Sequence, residues 1–149
     1  MHLNLGGLIY ENERSESDIV ISGSVSIEKV QEAESLLGVK FPSSYKEYLL
    51  GYGSMEIDGR SFAGLTPNPV GGGGDVVAFT SYARGDYGLP NQYLALDFQD
   101  GDVFLCIDTS QKDGDGESPV VLTSPVDGRK IGAVAAKSWG DYLVKYLSS

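Results

Sequence analysis

The 149-residue chain holds few groups suited to covalent chemistry. Its one histidine, His2, stands at the start of the sequence, away from every predicted element. Neither a Ser–His–Asp nor a Cys–His arrangement therefore finds a positioned base. The one cysteine, Cys106, sits between Leu105 and Ile107 in an apolar run. It reads as a small buried hydrophobe, and a lone thiol excludes an internal disulfide and any cysteine-based zinc cluster. The glycines at 71–74 lack the Gly-Lys-Ser/Thr ending of a phosphate cradle, and no G-x-G-x-x-G occurs. They read as part of a flexible surface loop over residues 66–75.

Carboxylates are the abundant functional group. Asp113-Gly-Asp115-Gly-Glu117 invites a calcium reading, but a loop started at Asp113 places Ser118 where the turn glycine belongs. Started at Gln111, it recovers Gly116 and then ends on Leu122. Neither frame is an EF-hand, so no metal site is assigned, and weak cation binding is the most this loop supports. Paired acids for glycoside hydrolysis cannot be picked out by spacing. The densest mixed cluster is Tyr82, Arg84, Asp86 and Tyr87. It reads either as a pocket lining or as a helix end carrying an exposed ion pair.

Charge is the strongest functional signal. There are 21 Asp and Glu against 11 Lys and Arg, a net charge of −10. Such a surface repels phosphate backbones and anionic headgroups, so direct nucleic-acid or membrane binding is not expected. A basic protein is the electrostatic complement. Seven acids (Asp97, Asp100, Asp102, Asp108, Asp113, Asp115 and Glu117) face one base, Lys112, within 21 residues. They divide between a turn near Asp100 and Asp102 and a loop over residues 108–118, at opposite ends of one strand. Turns enriched in Asp and Gly for backbone reasons are the competing account.

The elements that position these groups can be read from periodicity and caps. Ser26 caps a helix whose stripe is Ile27, Val30, Ala33 and Leu37, ended by Gly38; Glu28, Glu32 and Glu34 are expected in solvent. Pro42 opens a second helix that turns Tyr45, Leu49 and Tyr48 inward and ends at Gly51 and Gly53. Asp58-Gly59 suits a type I′ hairpin between residues 55–57 and 60–65. Asp75 caps a third helix stopped by Gly85 or Gly88. Residues 93–98, 103–107 and 120–123 form a strand meander. Ser138 and Asp141 cap a last helix with Trp139, Tyr142, Leu143, Tyr146 and Leu147 on one face. The implied class is α+β: a single domain, largely antiparallel sheet flanked by helices. No apolar run approaches a membrane span and no export signal is read, so a cytoplasmic location is the default expectation.

Several segments together resemble the SUKH superfamily of Smi/Knr-type domains. The first is Ile27…Glu34-x-x-Leu37-Gly38-x-x-Phe41-Pro42-x-x-Tyr45-Lys46-x-Tyr48-Leu49, followed by Tyr52-Gly53. The second is Tyr87-Gly88-Leu89-Pro90…Tyr93-Leu94-Ala95-Leu96, then Cys106-Ile107-Asp108-Thr109 and Ser118-Pro119-Val120-Val121. The third is Val134-Ala135…Ser138-Trp139-x-x-Tyr142-Leu143. The matches span residues 26–147, with Trp139 where the family usually carries Phe and a plainer Gly51-Tyr-Gly. Bacterial YobK-type antitoxins are the most similar branch.

The resemblance implies a SUKH (Smi/Knr-like) fold, no catalysis and no cofactor. It further implies an immunity protein that neutralises a cognate secreted polymorphic toxin, of nuclease type, by protein–protein contact. A nuclease cleft is basic, and an acidic binder can block it. The alternative is a regulatory or scaffold module of the yeast cell-wall-regulator type. A monomer or weak homodimer is expected. The partner contact is sought first at Asp108, Asp113, Asp115 and Glu117, in a loop long enough to reach outward. Asp100 and Asp102, and Tyr82, Arg84 and Tyr87, are the other candidates.

Overall fold

The computed structural model describes residues 18–99 and 101–148. Among the described residues, four helices and seven strands follow one another. Strand β1 (Ile19–Ile21) leads into helices α1 (Ile27–Leu37) and α2 (Ser43–Tyr52). The hairpin strands β2 (Met55–Ile57) and β3 (Arg60–Phe62) come next, then helix α3 (Val76–Tyr87). Strands β4 (Tyr93–Gln99), β5 (Val103–Asp108), β6 (Val120–Thr123) and β7 (Lys130–Ala136) lead to helix α4 (Trp139–Ser148).

The caps are those the residue types require. Ser26 accepts the Lys29 N–H, Asp75 accepts the Ala78 N–H, and Ser138 accepts the Asp141 N–H. Gly38 and Gly88 close α1 and α3 in the left-handed conformation. At the hairpin, Asp58 and Gly59 both take positive φ, as a type I′ turn demands. Gly64 answers a different need: a Cβ there would run into the Gly53 carbonyl, so only glycine lets these two backbones meet.

The expected hairpin and the expected meander are both present, and they fall in two antiparallel sheets, β1–β2–β3 and β4–β5–β6–β7. Their inner edges touch through one backbone bond, Ala63 N–H to Leu96 O at 2.8 Å. The reason is local. Strand β3 stops at Phe62, short of residue 65, and β4 shifts register between Ala95 and Asp97. Thr80 of α3 bonds the Ala95 backbone there, so that part of β4 is satisfied by a helix. Strand β7 bows away from β6 over residues 132–135, and its flanking Lys130 and Lys137 are exposed. Bulges and edge lysines both discourage pairing with another chain.

Two apolar clusters fill the interior. The larger joins α1, α2 and α4 to both sheets around Trp139, Tyr45, Tyr48 and Phe62. The Tyr45 and Tyr48 hydroxyls donate to the carbonyls of Ala63 and Phe62, and burial raises the pKa of both phenols. The smaller cluster lies between α3 and the other face of β4–β6, around Phe104 and Cys106. On α1 two expectations fail. Ile27 is 43 % exposed, while Glu34 lies at i+4 from Val30 and is buried. The Glu34 carboxylate accepts the Phe41 N–H at 2.7 Å, with Lys46 Nζ 3.9 Å away. It orients the α1–α2 connection instead of facing water.

Candidate functional site

The carboxylates first proposed as a contact rim divide sharply once their partners are known. Asp108 is 3 % exposed. One oxygen accepts the Ser110 N–H and hydroxyl and the Gln92 amide, and the other accepts the Gln111 amide. Glu117 is 4 % exposed. Its two oxygens accept the Ser44 N–H at 3.2 and 3.1 Å, and one also accepts the Ser44 hydroxyl at 2.9 Å. Ser44 lies in the first turn of α2, whose N-cap, Pro42, provides no side-chain acceptor. A carboxylate brought in from a distant loop therefore serves that helix N-terminus. The loop does not reach outward; it is folded back and held by Ser43 N–H to Gly116 O at 3.0 Å.

Asp113 and Asp115 remain exposed, although Asp113 Oδ1 accepts the N–H groups of Asp115 and Glu117. Asp102 is exposed at the start of β5, the opposite end of that strand from this loop. Asp100 lies outside the described residues, as does His2.

The Tyr82–Tyr87 cluster resolves differently. Among the described residues Arg84 makes no ion pair. Its Nη1 donates to the carbonyl of Leu37, at the end of α1, and its Nη2 to the carbonyl of Asn91. Partial burial lowers its pKa, but the group is a staple between α1, α3 and the β4 approach. Tyr82 and Tyr87 belong instead to a ring cluster that residue spacing alone does not reveal. Phe79 stacks near Tyr82, Tyr82 meets Tyr87 edge-on at 5.6 Å, and Tyr87 meets Phe98 at 5.4 Å. Phe98 stacks on the buried Phe104 at 4.2 Å. Tyr82 is 43 % exposed at the rim; its pKa is raised, first by the hydroxyl bond with Tyr87 and then by smaller effects including the Asp86 charge.

Beside this ledge runs a groove along the seam between the sheets. A cleft of about 560 Å³ is lined by Asp58, Arg60, Asp97, Phe98 and Gln99, among others. A second, of about 220 Å³, adds Phe79 and Ala63 and shares Asp97 and Phe98. Arg60, the cation here, is engaged: its Nε donates to Asp97 at 2.8 Å, and its guanidinium lies over Phe62 and Tyr146. Burial is the largest influence and opposes its charge, yet the bond to Asp97, the Asp97 charge and the Tyr142 and Tyr146 phenols together outweigh it and leave the pKa raised. Sequence reasoning missed Asp58, Phe79 and Phe98 as surface groups. Their spacing signals a turn, a helix stripe and a strand, and only the fold brings them together.

Cys106 is buried, bonded to the Thr123 hydroxyl at 3.5 Å, with its thiol pushed up to about 12 by burial. Among the described residues no three His, Cys, Asp or Glu side chains group as metal ligands. No described helix is long and apolar enough to cross a membrane.

An antiparallel α+β domain with this order of helices and sheets is a SUKH fold. The chain belongs to the SUKH_5 (SMI1-KNR4 cell-wall) family, whose model matches residues 7–146. Among solved structures, a protein from Pseudomonas syringae pv. tomato superposes with a TM-score of 0.68. The match covers 96 % of this chain and 98 % of that one at 17 % identity, a likeness of fold alone. A search of curated proteins finds no match.

Proposed function

We propose that this chain is a non-catalytic immunity-type module. It binds a basic toxin domain in the cytoplasm of the cell that makes both and blocks it by protein–protein contact. The observation that supports this reading best is membership of the SUKH family over residues 7–146, in a chain of net charge −10. An acidic surface steers a basic partner toward it and raises the association rate. It repels the toxin's own phosphate-bearing substrate in the same way. Blocking requires no turnover, so no catalytic constellation is needed.

The test is co-expression with the product of a neighbouring reading frame chosen for a basic C-terminal domain. Growth rescue and a one-to-one complex that associates more slowly with added salt support the proposal. No rescue and no complex would leave the regulatory-module reading in possession. Turnover by the purified chain on nucleic acid, peptide, phosphoester or glycan, abolished by a single substitution, would overturn the non-catalytic part.

A further inference from the structure

We infer that the ledge formed by Tyr82, Tyr87 and Phe98 beside Asp86 and the seam groove is the docking surface, and that its occupant is an extended cationic segment of the partner. The inference rests on the reading above for the nature of that partner, and adds which face meets it and by what chemistry.

Three observations converge on this face. The first is exposed aromatic area: Tyr82 stands 43 % exposed on a ring cluster whose base, Phe104, is fully buried. Rigid aromatic rims of this kind supply contact area with little side-chain freedom to lose. The second is charge. Asp86 is exposed one helical turn beyond Tyr82, and Asp58 and Asp102 are exposed on neighbouring turns. The third is where the nearby cations go. Arg84 is tied to the carbonyls of Leu37 and Asn91, and Arg60 to Asp97. Neither neutralises Asp86 or covers the Tyr82 ring.

An arginine or lysine brought by a partner finds what an internal cation does not supply here: a ring face with a carboxylate four residues away on the same helix side. The groove continues this surface between β3 and β4, where the backbones touch through the Ala63–Leu96 bond; its walls carry the exposed Asp58 and the Arg60–Asp97 pair. An extended chain with alternating cationic and apolar residues matches that sequence of features. The loop at Asp113 and Asp115 has charge without an aromatic platform, so it serves as the control surface.

The probe is the capped peptide Ac-Arg-Leu-Arg-Leu-Arg-NH2, titrated into 15N-labelled protein at physiological salt, with the Glu-for-Arg peptide as counter-probe. The expected result is saturable shifts confined to this face: Tyr82, Asp86 and Tyr87 on the ledge, and Asp58, Phe98 and Gln99 along the groove. Tyr82→Ala or Asp86→Asn weakens binding about tenfold. Tyr82→Leu, which keeps an apolar side chain and removes the ring, weakens it as well, whereas Asp113→Asn with Asp115→Asn leaves it unchanged. Shifts centred on residues 113–117 or spread over every exposed carboxylate would overturn the inference. Equal binding of the acidic peptide, or no binding, would do the same. Failure of the toxin reading looks different: the peptide docks on the ledge while the adjacent gene product does not bind. A toxin complex indifferent to Tyr82→Ala and Asp86→Asn sinks the ledge and spares the reading.

Discussion

Replacing Glu117 by alanine is expected to destabilise the fold far more than removal of a loop carboxylate should. The side chain accepts the Ser44 N–H and the Ser44 hydroxyl, and that hydroxyl oxygen in turn accepts the Gly140 N–H at 2.9 Å. One carboxylate thus organises the first turn of α2 directly and that of α4 through Ser44. Hydrogen bonds to a charged group contribute about 1.5–3 kcal/mol each, and stranding a buried donor costs about 1–3 kcal/mol. Relief of the carboxylate's own desolvation offsets part of this. The net expectation for Glu117→Ala is about 2–4 kcal/mol, against under about 0.5 kcal/mol for an ordinary surface change. Glu117→Gln keeps an acceptor and should lose about half as much. Urea unfolding followed by Trp139 fluorescence measures both. Ser44→Ala added to Glu117→Ala should cost less than the sum of the two changes, because each removes the same contact. A Glu117→Ala loss below about 0.5 kcal/mol, or strict additivity with Ser44→Ala, would refute the account of this loop as a staple between helices.

Trp139 is fully buried against Tyr45, Tyr48, Phe62 and Tyr142, and Trp139→Ala should cost about 3–5 kcal/mol in equilibrium unfolding. Its indole N–H finds no hydrogen-bond partner among the described residues, so Trp139→Phe should cost under about 1.5 kcal/mol; a loss as large as that of alanine would show a missed bond. Arg84→Met should lose about 1.5–3 kcal/mol from its two carbonyl bonds while leaving partner association unchanged. Slower association in that variant would return Arg84 to the contact surface. For Cys106, folding raises the thiol pKa from its ordinary value to about 12. Its contribution to stability is therefore complete below the unfolded thiol pKa and is lost as pH rises toward 12. Cys106→Ala should flatten that alkaline loss relative to the parent, and native protein should resist alkylation at pH 8 until unfolded; rapid native labelling would contradict the burial.

Helices were legible here because their ends are chemical. Ser26, Asp75 and Ser138 are short acceptors placed before apolar periods, and Gly38 and Gly88 are the residues a left-handed stop favours. Strands β1 and β7 were not. The first is three residues long, and the second is exposed over most of its length with a bulge after Ile131, so neither shows the alternation of a half-buried strand. The site was half visible. Tyr82 and Tyr87 stand out by residue type, but their junction with Phe98 depends on how α3 lies across β4, a contact between residues with no common local pattern.

The acids expected in solvent but found buried, Glu34, Asp108 and Glu117, share a physical reason, and the expected cap Asp75 shows it too. Glu34, Asp75, Asp108 and Glu117 are buried, and every one accepts at least one backbone N–H: of Phe41, of Gly71 and Ala78, of Ser110, and of Ser44. A carboxylate is the strongest acceptor a side chain offers to such donors, so polarity in the sequence marks an unpaired helix end or tight turn as readily as a wet surface. These four carry charge in the net −10 without presenting an open face to a partner. What the proposed basic partner would meet is the remainder, and its effect depends on placement. In the proposed contact Asp86 counts because Tyr82 stands beside it and Arg84 turns away, whereas Glu117 is occupied by the first turn of α2. Charge-neutralising variants should therefore separate cleanly: Asp86→Asn should alter association and leave stability within about 0.5 kcal/mol, and Glu117→Gln should do the reverse. A protein in which both changes act on association alone would not have the structure described.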